Sequence, residues 1–213
     1  MPLIVDTIRN IPMKLLFTLF TGIALILVSC TPTPSIQQSW TNPEQRDTTK
    51  VFQKILLVAL LKDTYTRKIA EDKMAEQVRP RGIVSYNYLP NYQANADTGL
   101  ISNRLKQDGF DGIVIMRFIT LDKNTTNSPS SNQPAYYNSW YGYYSTSYPL
   151  YNVPGNTATN EFYNVETNVY SLVSNKLLWS GVTTAVNISN KSQMIDRIIA
   201  TVKQKMKEQG FLK

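Results

Sequence analysis

At 213 residues the chain has room for one well-buried domain, and not for two once an apolar leader and a loop-rich stretch are set aside. Hydrophobic residues make up 42% and charged residues 17%, which excludes wholesale disorder and a multi-span membrane protein. The net charge is +7, but no nucleic-acid recognition motif accompanies it, so no nucleic acid is expected as a partner.

Met13-Lys14 leads into a mostly apolar run from Leu15 to Val28, followed by Ser29-Cys30. The run is shorter than the roughly 20 residues of a membrane-spanning helix, and Thr31-Pro32-Thr33-Pro34 ends it at once, which is the layout of a signal peptide over residues 1–29. Asp6 and Pro12 are out of place in a basic leading segment, so translation is expected to start at Met13. Leu27-Val28-Ser29-Cys30 resembles the lipobox of bacterial lipoproteins. The resemblance implies a diacylglycerol on the Cys30 thiol, cleavage after Ser29, and acylation of the new amino group with a fatty acid such as palmitate. One chain holds a protein marginally, at about 0.8 kcal/mol per buried methylene, whereas two or three hold it on the membrane. The alternative is a coincidental cysteine at the end of an uncleaved anchor. Thr31 in place of an aspartate, and no acidic run after Cys30, point by analogy to a periplasm-facing protein of the cell outer membrane.

Residues 30–50, rich in Pro, Thr, Ser, Gln and Asn, read as a lipidated tether, with Trp40 expected to pack back onto the domain. The domain is assigned to residues 51–213. Residues 54–61 form an unbroken apolar run suited to a central strand, residues 65–79 a helix stopped by Pro80, residues 82–89 a second strand, and residues 97–108 a second helix with Asp97 as cap and Gly109 past its end. Residues 112–119 give a third strand. Two β-prone runs, 162–173 and 176–187, flank Ser174-Asn175 as a hairpin, and Met194, Ile195, Ile198, Ile199, Val202 and Met206 form one face of a closing helix. The order is β-α-β-α-β-β-β-α. It predicts an α/β fold, one mixed five-stranded sheet with three packed helices.

An insert, residues 122–160, separates the third strand from the hairpin and holds seven of the 13 tyrosines. Loops of this length are functional or disordered, and tyrosine offers an amphipathic face to sugars and proteins. Tyr137, Trp140, Tyr141 and Tyr144 are therefore candidate partner-binding residues, against the alternative of low-complexity filler. From Lys191 to the end the chain carries six cations against two acids, either a solvated helix face or a surface for anionic lipid.

Ser39-Trp40, the apolar first strand, Arg67-x-x-x-Glu71, Ser85-Tyr86, Phe110-Asp111-Gly112 and Leu177-Leu178-Trp179-Ser180-Gly181 resemble a family of bacterial outer-membrane lipoproteins that share a domain of unknown function. The element order is distantly similar to that of the penicillin-binding-protein activator lipoproteins and the amino-terminal domain of the Tol-system translocation protein. These resemblances imply a non-enzymatic adaptor that meets an envelope protein or peptidoglycan.

With no histidine, and its single cysteine assigned to the anchor, the sequence holds no Ser-His-Asp or Cys-His set and no His- or Cys-based zinc site. No cofactor or metal site and no catalytic residue is expected. Five carboxylates, Glu71, Asp72, Asp108, Asp111 and Glu166, leave open a second reading, a carboxylate-dependent glycan hydrolase. The simpler expectation is structural: Arg67 pairs Glu71 at i,i+4, Asp108 and Asp111 flank a turn, and Glu166 lies on a strand.

Overall fold

The computed structural model describes residues 34–45, 52–89, 98–120, 135–151, 162–186 and 190–212. Cys30, the leader, Asp97 and the outer parts of the insert lie outside these residues. All of the described residues belong to one compact unit, Thr33–Lys213. Among them, no helix is long and apolar enough to cross a membrane.

The elements are β1 (Ser35–Thr41), β2 (Ile55–Leu60), α1 (Thr64–Gln77), β3 (Gly82–Val84), the single turn α2 (Ser85–Tyr88), α3 (Thr98–Gln107), β4 (Gly112–Thr120), α4 (Trp140–Ser147), β5 (Phe162–Ser171), β6 (Lys176–Val186) and α5 (Lys191–Glu208). The fold is the expected mixed α/β one, and the described residues form six strands instead of five, in the order β1-β6-β5-β4-β2-β3, and five helices instead of three, the extra two being the single turn α2 and α4 of the insert. β2 runs parallel to β3 and β4, whereas β4-β5, β5-β6 and β6-β1 are antiparallel.

All six residues of β2 are buried because both faces of the sheet are covered. Leu57 and Ala59 face α1 and α5 together with Met116, Val169 and the apolar stripe of α5. Leu56, Val58 and Leu60 face α3 and α4 with Ile113, Ile115 and Tyr170. α3 and α5 end as their glycines predict: Gly109 (φ 82) and Gly210 (φ 70) adopt the left-handed conformation, and the next residue's N–H returns to the last turn, Phe110 to Leu105 and Phe211 to Met206.

Three boundaries differ from expectation. Residues 35–41, assigned to the tether, form an edge strand on β6, in register from Ser35 opposite Thr184 to Thr41 opposite Trp179. Trp40 does pack back on the domain, against the α3 and α4 side. The second strand stops at Val84 and becomes the turn α2, for a reason given below. Within the insert, residues 135–151 form a 3-10 turn, the helix α4 and a second 3-10 turn. Ser139 starts α4 by accepting the Gly142 N–H.

Candidate functional site

β2 pairs with β3 over only three residues, so beyond Leu57 its outer edge lacks a strand partner. A side chain takes that place. Glu71 of α1 accepts the Ala59 N–H on Oε1 at 3.1 Å and the Tyr86 N–H on Oε2 at 3.0 Å, which also serves an orphan donor in the first turn of α2. Ser85 donates to Glu71 Oε1 at 2.7 Å, and Arg67 reaches Glu71 at 3.0 Å and Ser85 Oγ at 2.9 Å. The carboxylate thus gives the Ala59 N–H the acceptor that a longer β3 would have offered it. This network stands where the run expected to be a strand over 82–89 leaves the sheet. The resemblance motifs Arg67-x-x-x-Glu71 and Ser85-Tyr86 therefore meet in one network, and their work is to end a strand.

The other motifs are also architectural. Asp111 accepts the Gln53 and Lys54 N–H groups at 2.8 and 3.0 Å and so fixes the entry to β2. Trp179 lies fully buried across Gly181, where an added Cβ would meet the indole at 2.3 Å. Its N–H donates to Gln209 at the end of α5, and Gln209 in turn donates to Ser39 of β1.

A second buried ion pair lies on the opposite sheet face. Arg117 of β4 is directly opposite Glu166 of β5, donating to its Oε2 from Nη2 at 2.7 Å and from Nε at 3.1 Å. Tyr143 donates to the same oxygen at 2.7 Å, and its ring lies 5.3 Å from the guanidinium carbon. Burial opposes the charge on Arg117, but Tyr143 and Glu166 outweigh it and hold the guanidinium protonated. Helix α4 thus closes a charged pair off from solvent.

The same packing places the four candidate partner-binding residues. Tyr137, Trp140 and Tyr144 are buried and Tyr141 is half-buried, all packed into the core on this face. They line the interior of a second layer that covers this face of the sheet. Large amphipathic rings were needed because the sheet surface they cover carries Arg117, Glu166 and Asn168 among its apolar side chains. Tyr151 extends the layer by donating to the Phe118 carbonyl at 2.7 Å.

Burial keeps these phenols neutral. It raises Tyr143 and Tyr144 well above the ordinary tyrosine value and pushes Tyr151 up to about 12. Each raised value favours the folded state below the unfolded-chain value near 10 and loses that contribution as pH rises through the folded value. Stability is therefore expected to fall between about pH 10 and 12. Spectrophotometric titration of tyrosinate should show a late, cooperative phase that coincides with loss of structure by circular dichroism; early ionisation of all tyrosines in a still-folded protein would refute it.

The remaining carboxylates are occupied and dispersed. Asp72 accepts from Tyr86 at 2.6 Å, Asp108 accepts from Tyr88, and Asp108 and Asp111 stand at the amino end of β4, away from Glu71 and Glu166. Among the described residues no group of three or more His, Cys, Asp or Glu could hold a metal ion.

Between the two ion-pair networks the surface dips into a polar pocket of about 80 Å³, lined by residues 59–62, Thr64, Arg67, Tyr148 and Tyr151. It lies at the carboxyl end of β2, where the chain leaves toward β3 on one side while β4 flanks it on the other. In open α/β sheets such a switch of direction leaves a crevice that ligands use. Lys62 is exposed at this pocket, Arg67 is half-buried, and Tyr148 is stacked on Tyr144 with ring centroids 5.0 Å apart. The cations and hydroxyls suit an anionic or polyhydroxylated group. Sequence reasoning did not single out Lys62 or Tyr148; the signal it could have used was the position of Lys62 just beyond an apolar strand.

Among solved structures the chain is similar to the PelC dodecamer from Paraburkholderia phytofirmans, at 8% identity over 79% of this chain and 96% of that one, with a TM-score of 0.40. A point variant of that dodecamer in another crystal form matches at 6% identity over 80% and 97%, again with a TM-score of 0.40. No family model matches the chain, and no curated protein matches it.

Proposed function

We propose that the protein is a lipid-anchored, non-enzymatic binding module of the cell envelope, attached through Cys30 to the outer membrane, with its domain in the periplasm. Its partner is an envelope protein or peptidoglycan, engaged at the polar pocket. The observation that carries this reading is the use of the two buried glutamates: each is tied to an arginine and to hydroxyl or amide donors, and each holds part of the sheet together. A carboxylate so employed has structural work in the resting protein. The pocket beside them presents Lys62, Thr64, Arg67 and tyrosine rings, which favours holding an anionic group over transferring a proton.

Photocrosslinkers placed at Lys62 and Tyr148 of the intact protein in cells test the partner. A discrete adduct, lost when Arg67 is replaced by Glu in a folded variant, is expected; no adduct above background from either position would remove the pocket from consideration. Cys30→Ser tests the anchor and is expected to shift the protein out of the outer-membrane fraction. Retention there in unchanged amount would sink the lipid attachment.

A further inference from the structure

On the face opposite the Arg117–Glu166 pair, α1 and α5 run side by side over β2, β4 and β5, joined by Lys73 with Asp196 and by Lys203 with Gln77. Their carboxyl-terminal halves do not close on the sheet. They leave a cavity of about 280 Å³, open to solvent on one side. Of the 18 described residues that line it, 13 are apolar, with Leu57, Val114 and Val169 on the floor and Met74, Val202 and Met206 on the walls. Interiors are packed to crystal density, with few voids larger than a water molecule, so an apolar space of this size is outside the range of ordinary packing irregularity. It approaches the size of small-molecule pockets, about 300 to 1,000 Å³.

Polarity is confined to two places. Gln77, Arg81, Lys203 and Lys207 line the cavity, and among the described residues no carboxylate does. Arg81 is fixed by donating to the Phe52 carbonyl at 3.0 Å. The other polar group is Thr167 on the floor, 1% exposed, with its hydroxyl unpartnered. An apolar space bordered by three cations is complementary to a molecule with one apolar end and one anionic end.

We propose that this cavity binds a single-chain anionic amphiphile, its acyl chain between α1 and α5 and its anionic head on Arg81, Lys203 and Lys207. Fatty acids and lysophospholipids share that chemistry. The site is separate from the polar pocket and does not depend on lipid at Cys30.

The test uses the full-length protein in phospholipid nanodiscs and a diazirine-bearing palmitate as probe, with labelled peptides identified by mass spectrometry. Label is expected on residues 74–81 and 199–212. Unlabelled palmitate should compete; lysophosphatidylglycerol competing at a lower concentration than palmitate assigns a lysophospholipid, and lysophosphatidylglycerol competing only at a higher concentration or not at all assigns a fatty acid; methyl palmitate, which lacks the charge, should fail, and labelling that unlabelled palmitate does not displace would overturn the proposal. The double variant Lys203→Glu, Lys207→Glu alters only polar positions and is expected to fold, as checked by circular dichroism, and to lower labelling about tenfold, the effect of losing one or two charge contacts. Thr167→Val should leave labelling equal or higher, because an acyl chain makes no use of the hydroxyl. Labelling unaffected by the charge reversal, labelling abolished by Thr167→Val, or crosslinks showing the chain's own leader in the cavity would each overturn the proposal.

Discussion

Arg117→Met is expected to destabilise the protein by roughly 3 to 5 kcal/mol, the cost of leaving one member of a buried ion pair without its counter-charge. The side chains of Arg117 and Glu166 are only 11% and 1% exposed, so solvent cannot take over the lost interaction. After the substitution the Glu166 carboxylate keeps, among the described residues, a single donor, Tyr143. Urea denaturation measures the loss, and the double variant Arg117→Met, Glu166→Gln should recover much of it, because the pair's own net contribution is far smaller than the penalty for breaking it. A single variant within about 1 kcal/mol of the parent would mean that water reaches this site and that α4 does not seal it.

Trp179→Ala is expected to cost about 3 to 5 kcal/mol, the range for removing a large aromatic from a packed core. Two effects add here. The indole fills the space over Gly181, and its N–H holds Gln209, which links α5 to Ser39. Hydrogen exchange should accordingly show β1 losing protection before the rest of the sheet, a sign that the tryptophan carries the edge strand as well as the core. Gly181→Ala provides the converse: its methyl collides with the indole and should cost about 1 to 3 kcal/mol by overpacking. Equal protection losses across all six strands in the Trp179 variant would argue against the Gln209 link.

Much of the fold was legible because its signals are local. The unbroken apolar run of β2, the stripe on α5 and the Ser174-Asn175 turn, with Asn175 at φ 53, each declare an element without reference to the rest of the chain. β1 was not legible. Its seven residues, Ser-Ile-Gln-Gln-Ser-Trp-Thr, are mostly polar because an edge strand has only one neighbour and stays partly exposed. The end of β3 was hidden for a different reason. Residues 82–89 read as one strand by composition, and what ends it at Val84 is a carboxylate from a helix more than ten residues earlier.

The site was less legible than the fold. Arg117 and Glu166 are 49 positions apart, and nothing in either strand announces that they face each other under a layer of tyrosines. Nor does a tyrosine's composition say whether its ring points outward to a partner or inward to a charge. The packing of residues 135–151 on the sheet decides that, and it turns the cluster of rings from a surface into a roof.

The edge strand also sets a length. β1 begins at Ser35, five residues beyond Cys30, so whatever path residues 30–34 take, they span at most about 18 Å, against about 70 Å for a free leash extending to residue 50. With lipid on Cys30, the domain would ride within a headgroup layer's distance of the bilayer and patrol a plane. A partner would then have to come to that plane, and lengthening the stretch ahead of Ser35 would be the direct way to change how far from it the domain can reach.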